Sequence, residues 1–160
     1  GVMPLPYDAL RITIRTKLSD TQIQTSPITG HLIENCLFPG LFAPWTNVDH
    51  ANGNRHQYSW EDVRQLNERR EITFRHSSGH EVVMVQLATK TARQLVCRLS
   101  EGEHLTVADP IGMARLACVT DIYVPAVSIS DIAVGQHVVA GETVLARLPS
   151  SMPTHTPVGP

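Results

Sequence analysis

The sequence predicts a mainly β domain, a quasi-symmetric β-sandwich or flattened barrel, on three observations. Short runs alternate apolar and polar residues with the two-residue period of a half-buried strand. Eleven prolines in 160 residues are many for a helical chain. Two segments repeat, EGEHLTVADPIGMARL (101–116) and VGQHVVAGETVLARL (134–148), each running Gly-x-His, apolar residues, a turn and Ala-Arg-Leu. A unit of that size cannot bury its apolar face alone, so the two must pair.

Residues 10–16, LRITIRT, alternate cleanly and read as the first strand. Residues 31–38, HLIENCLF, alternate less cleanly and stop at Pro39-Gly40, a turn pair. Residues 41–58, LFAPWTNVDHANGNRHQY, have no period and read as a long loop, a length that points to a functional segment. WEDVRQLNER (60–69) predicts one short helix ahead of a strand at 71–75. Ser77-Ser78-Gly79 marks a hairpin turn, and VVMVQLA (82–88) is apolar enough for a strand buried on both faces. Residues 95–99 continue the pattern, and the repeat units follow as paired β-hairpins of the lipoyl or biotinyl kind. Those carrier domains present a lysine at a hairpin tip. Lys17 and Lys90 both lie outside the repeat, which argues against a carrier role, and His104 and His137 take equivalent turn positions. One domain over 1–148 and a flexible Pro/Ser/Thr-rich tail over 149–160 account for the chain.

Composition narrows the function. Thirteen basic against fifteen acidic residues give a formal net charge of −2, with no basic run for nucleic acid. No stretch approaches 18 apolar residues, so no integral membrane segment is expected, and the first residues lack the pattern of a signal peptide. Three cysteines at wide spacing, Cys36, Cys97 and Cys118, argue against a disulfide framework or a zinc site and for a cytoplasmic location. Cys36 and Cys97 sit inside apolar strand patterns and read as core.

The stretch VVMVQLATKTARQLVCRLSEGEHLTVADPIGMARLACVTDIYVP resembles the C-terminal half of the phosphatidylserine decarboxylase family, especially its short soluble members. The family pattern there is approximately V-Q-I-A-G-x-x-A-R-R-I-V-C, then E-G-D-x-V-x-x-G-x-x-F-G-x-I-R-F-G-S-R-V-D-V-Y-L-P. Upstream, Asn67-Glu68-Arg69, the Pro-Gly of 39–40, and RITIRTKLSDTQIQTSPITG (11–30) line up as well. The resemblance covers about residues 10–148 and implies the family's β-sandwich. It also implies a pyruvoyl group, made where members cleave themselves between Gly and Ser. Here that pair aligns with Ala117-Cys118, the family's His aligns with Gln22, its neighbouring Arg aligns with Thr25, and its Asp lies upstream of residue 10.

These departures set the expectation for function. Gln22 cannot accept a proton at neutral pH, so the chain is expected to be a scaffold repurposed for small-molecule, natural-product-type biosynthesis. It would run as one intact species without a cofactor, with Cys118 in the ancestral pocket. Cys118, His50 and His56 are the candidate catalytic residues, since a thiol and imidazoles from distant positions suit acyl transfer, cyclisation or condensation. Gln22, Asp49, Arg55, Asn67, Glu68, Arg69, Ala117 and Asp121 are the candidate substrate-pocket residues. The expected partner is a small-molecule or carrier-bound acyl substrate, and a homo-oligomer is compatible with the sequence. Two alternatives stand beside this reading. One is a pyruvoyl-dependent decarboxylase that acts on phosphatidylserine or an amino-acid-derived substrate and cleaves itself at Ala117-Cys118. The other is a non-catalytic binding protein, with Cys118 as simple packing and Asn67-Glu68-Arg69 as a structural ion-pair corner.

Overall fold

The structure, a computed structural model, describes residues 8–44, 58–115 and 118–150. The alternating run forms β1 (Ala9–Arg15), which lies antiparallel to β9 (Val119–Pro125) with Ile12 opposite Ile122. β9 in turn pairs with β5 (Glu81–Leu87), β5 with β4 (Arg69–Arg75) and β4 with β3 (Gly30–Phe38). β7 (His104–Leu105) closes the far edge of this six-stranded antiparallel sheet. A second sheet takes β2 (Ile23–Thr25), β8 (Pro110–Arg115) and β6 (Gln94–Cys97), and a two-stranded ribbon takes β10 (Ile129–Ser130) and β11 (Ala146–Arg147).

The two-residue period sorts side chains onto two faces of the large sheet. Ile12, Ile72, Phe74, Val82, Met84, Ile122 and Val124 point to one face and meet Ile111 of β8, forming the main core between the sheets. Val83, Val85, Leu87 and Val119 point to the other face, where Trp60 of α1 (Trp60–Leu66) covers them. This is why 82–88 reads as continuously apolar: β5 has a packed layer on each side.

The helix starts at a capping box, in which the Ser59 hydroxyl accepts from Asp62 N and the Asp62 carboxylate accepts from Ser59 N. It ends at Leu66, three residues short of the sequence expectation. Asn67, the C-cap, is fully buried, and its amide accepts from Ala43 N (3.0 Å) and donates to Ala43 O (3.0 Å) and Ala88 O (2.8 Å). Holding three backbone groups of two other segments fixes Asn67 in extended conformation, so the helix cannot continue. No helix among the described residues is long and apolar enough to cross a membrane.

The repeat is real in its turns and differs in its pairing. Gly102 and Gly135 both have φ +85°. Ser100 N donates to Glu103 Oε2 (3.1 Å), just as Ala133 N donates to Gln136 Oε1 (3.0 Å). Further on, Ala108 (φ +74°) and Gly141 (φ +76°) hold equivalent left-handed positions, and the two turns touch there. The units are corners rather than hairpins, however. β7 and β8 lie in different sheets, because the tight turn in which Thr106 N donates to Asp109 Oδ2 (2.7 Å) passes the chain from one sheet to the other. In the second unit β11 pairs with β10, outside the repeat.

That contact makes a test. A Cβ on Gly141 would lie 3.0 Å from the Ala108 Cβ at a left-handed φ. Gly141→Ala is therefore expected to cost about 1–2 kcal/mol, measured by urea unfolding. Adding Ala108→Gly should return part of it, because the swap removes the clash and one strained residue. Equal losses in the single and double variants would refute the contact.

Cys36 departs from its reading as core, while Cys97 packs against the main core from a partly buried position. Both are only half-buried. The Cys36 thiol donates to Glu34 Oε1 (3.3 Å), which pushes its pKa up, and Cys97 Sγ accepts from Asn35 Nδ2 (3.4 Å). The edge of β3 and the short β6 leave these positions at the rim of the sandwich.

Candidate functional site around Cys118

Cys118 enters β9 with its backbone carbonyl accepting from Thr16 N (3.1 Å), so the end of β1 fixes the residue. Its side chain is 1% exposed and packs among Ala88, Ala92, Leu95 and Ala114. The thiol lies 3.6 Å from Thr120 Oγ1, and that hydroxyl donates to Gln24 Oε1 of β2 (3.2 Å). The chain Cys118–Thr120–Gln24 thus runs from one sheet to the other through the core. Gln86 sits opposite Thr120 in register on the same face, fully buried, with neither amide atom hydrogen-bonded among the described residues. Unpaired buried amides are costly and rare, so Gln86 adds unsatisfied donors and acceptors to the core face across from Thr120.

Burial pushes the Cys118 thiol pKa up, and hydrogen bonds from Thr120 and Thr16 offset this only in part. A cleft of about 260 Å3, lined in part by Cys118, opens between the end of β1 and the turn after β5. Arg15 and Lys90 bring two positive charges to its wall, with Thr16, Thr89 and Thr91 as hydroxyls. The Arg15 guanidinium lies 4.8 Å from the centre of the Trp60 ring, a cation–π contact that orients it. Burial lowers its pKa.

The other candidates divide. Asp49, His50, Arg55, His56 and Ala117 lie outside the described residues. The Gln22 amide donates to Lys17 O (3.1 Å) and Asp20 O (2.7 Å) in the turn before β2. Its neighbour Gln24 is the amide joined to the Cys118 chain. Asn67 ties the helix end to Ala43 and Ala88, next to the turn that carries Lys90. Glu68 serves through its backbone, with N–H donating to Leu41 O and its carbonyl accepting from Ala88 N, both at 2.9 Å. Arg69 pairs with the buried Glu71 at 2.7 Å. Asp121 is fully buried on the helix face and takes Arg64 Nε at 2.6 Å and the Thr13 hydroxyl at 2.6 Å. The hydrogen bond and charge of Asp121 outweigh the desolvation of Arg64 and raise its pKa.

Sequence reasoning passed over Thr16, Gln24, Arg64, Gln86, Lys90 and Thr120. For Gln24 and Gln86 a signal existed, since each is a lone amide at an inward strand position.

The sequence profile described as phosphatidylserine decarboxylase matches residues 6–146. A phosphatidylserine decarboxylase proenzyme of Mycolicibacterium gilvum is 35% identical over 147 residues, 92% of this chain and 56% of the relative. One from Mycobacterium avium is 34% identical over 139 residues, 87% of this chain and 52% of the relative. One from Mycolicibacterium vanbaalenii is 37% identical over 146 residues, 91% of this chain and 55% of the relative. The chain spans about half the length of the curated relatives it matches. No solved structure matches it.

Proposed function

Because the chain belongs to the phosphatidylserine decarboxylase family, we propose that it is a decarboxylase of that kind, a lyase acting on an amino-acid-type headgroup at the cleft beside Cys118. The position of Cys118 carries this reading: a β-thiol at the aligned cleavage site, held at the head of β9 against the cleft. The relatives' designation as proenzymes fits a chain that matures by cutting itself.

The pyruvoyl group of the family fits these residues. Cys118 would carry it, with the hydroxyl of Thr16 beside it as a donor and that of Thr120, whose proton goes to Gln24, as a polar neighbour. When present, it supplies an electron sink for departure of CO2. Two of the departures from the family pattern complement each other, since Cys118 stands for Ser in a chain where Gln22 stands for His. A thiol ionises far more readily than a hydroxyl and is a strong nucleophile, so it asks less of a base. In the cleavage, Sγ attacks the Ala117 carbonyl carbon, and the peptide nitrogen takes the thiol proton as the C–N bond breaks. Loss of the Cα proton then breaks the Cβ–Sγ bond, and the upstream fragment leaves as a thiocarboxylate. Water supplies the new carbonyl oxygen as ammonia departs.

Denaturing mass spectrometry and CO2 release from phosphatidylserine test this. Two fragments divided after Ala117, the second carrying a borohydride-reducible carbonyl, are expected together with CO2. An intact chain that releases no CO2 would overturn it.

A second reading is favoured by one observation: the thiol is deeply buried with its pKa raised, and its hydrogen-bonding neighbours Thr16 and Thr120 are neutral. In that reading Cys118 stays whole, and the cleft binds a small-molecule or carrier-bound acyl substrate for natural-product-type biosynthesis. The same mass measurement separates the two, because this reading requires one uncut chain.

A further inference from the structure

We propose that Lys90, together with Arg15, forms an anion seat in the cleft that selects a phosphate-bearing substrate. The inference rests on the decarboxylase reading for its choice of phosphate over carboxylate. Lys90 stands at the tip of a tight turn, where Thr89 N donates to Ala92 O (2.9 Å) and Ala92 N donates to Thr89 Oγ1 (3.1 Å). Arg93 Nε donates to the Lys90 carbonyl (3.1 Å), which braces the tip. Arg15 approaches from the end of β1, held by its contact with Trp60. Among the described residues lining the cleft there are two cations and no carboxylate, with the hydroxyls of Thr89 and Thr91, 3.4 Å apart, beside them. Two positive charges and several short donors around one small volume match a group with several anionic oxygens.

The chemistry says which anion. A decarboxylation removes the charge of the carboxylate that departs. Cations clamped on that carboxylate would stabilise the ground state more than the transition state and slow the step. The pair is better placed on an anion that survives the reaction, and a phosphate does. The volume agrees: about 260 Å3 lies below the roughly 300–1,000 Å3 of pockets for drug-sized ligands, so the cleft takes a headgroup and not acyl chains. Thr89-Lys90-Thr91 stands where the family pattern reads Gly-x-x, so the pattern itself prescribes no lysine there.

Binding to the full chain tests the seat without turnover. Glycerophosphoserine, O-phosphoserine, inorganic phosphate and free serine are titrated by calorimetry into wild type, Lys90→Gln and Lys90→Arg. Lys90 is exposed, and matched melting curves confirm folding. Lys90→Gln is expected to weaken the phosphate ligands about tenfold or more, the worth of one charged hydrogen bond. Serine should be unaffected, and Lys90→Arg should restore most of the loss. Added salt should weaken wild type more than Lys90→Gln. Tighter binding of the diester than the monoester would point to a lipid headgroup, with phosphatidylserine vesicles then outcompeting phosphatidylcholine vesicles. The opposite order would point to a soluble phosphorylated amino acid, and either order supports the seat. Equal phosphate affinity in wild type and Lys90→Gln, or serine binding as tightly as O-phosphoserine, would overturn it. Lys90-dependent binding with no CO2 release would leave the seat standing and reject the decarboxylase reading instead.

Discussion

Cys118→Ala is expected to leave the chain uncut and to reduce decarboxylation on the order of 10^4-fold or more, the scale on which removal of a covalent nucleophile acts. Cys118→Ser should also stay largely uncut, since the hydroxyl ionises far less and Gln22 offers no base. Wild-type cleavage should show a definite pH dependence. Burial raises the thiol pKa, so the thiolate fraction, and with it the rate, should climb with pH through neutrality and past the ordinary thiol value of about 8.5 before levelling. A rate flat between pH 6 and 8 would mean that thiolate formation does not limit the step. Packing alone predicts something different. Losing one sulfur from the cluster of Ala88, Ala92, Leu95 and Ala114 should cost about 1 kcal/mol, visible in melting and not in mass. If activity in Cys118→Ala stays within about tenfold, a barrier change of about 1.4 kcal/mol, both covalent routes are excluded.

Much of the fold was legible because each signal had a local cause. The alternation of residues 10–16 survives in β1, since its two faces meet different layers. The continuous apolar run of β5 marks the strand packed on both sides. The Gly-x-His repeat points correctly to two equivalent turns with matching left-handed residues. What the repeat could not reveal is where each unit sends its strands. That depends on long-range partners such as β3 for β7 and β10 for β11, which no local pattern encodes. The end of the helix was hidden for a similar reason. Nothing in WEDVRQLNER stops it locally, and the stop comes from backbone groups of Ala43 and Ala88.

The site was legible as a point and not as a surrounding. The family resemblance singles out Cys118. The amide that reaches it through Thr120 belongs to Gln24 and not to Gln22, because Gln24 lies within β2 while Gln22 sits in the turn before it, where its amide donates to Lys17 O and Asp20 O. Lys90 reads in sequence as an ordinary surface lysine. It becomes notable only because the turn after β5 closes against the end of β1, which brings it to a cleft shared with Arg15.

Asp121→Ala is expected to be the most destabilising single change on the helix face, costing about 3–5 kcal/mol. Arg64 and Asp121 have side chains only 7% and 0% exposed, and their contact is bidentate, Nε to Oδ2 at 2.6 Å and Nη2 to Oδ1 at 3.3 Å. Thr13 donates to Oδ1 at 2.6 Å, and its hydroxyl accepts from Arg64 Nη2 at 3.2 Å, so the three form a closed network. Removing the carboxylate leaves the guanidinium buried without its counter-charge, against a total stability of about 5–15 kcal/mol for a domain. The pair contributes little net when intact, because desolvation of both ions offsets their attraction. Arg64→Leu combined with Asp121→Leu should therefore lose far less than Asp121→Ala alone, and urea unfolding of the four species would show it. Amide exchange should locate the damage in the single variant. α1 rests on β9 through this pair, so its amides should open first, followed by those at the head of β9, where Cys118 is held. A loss under about 1 kcal/mol in Asp121→Ala would show that solvent reaches Arg64 and that the helix is not anchored there.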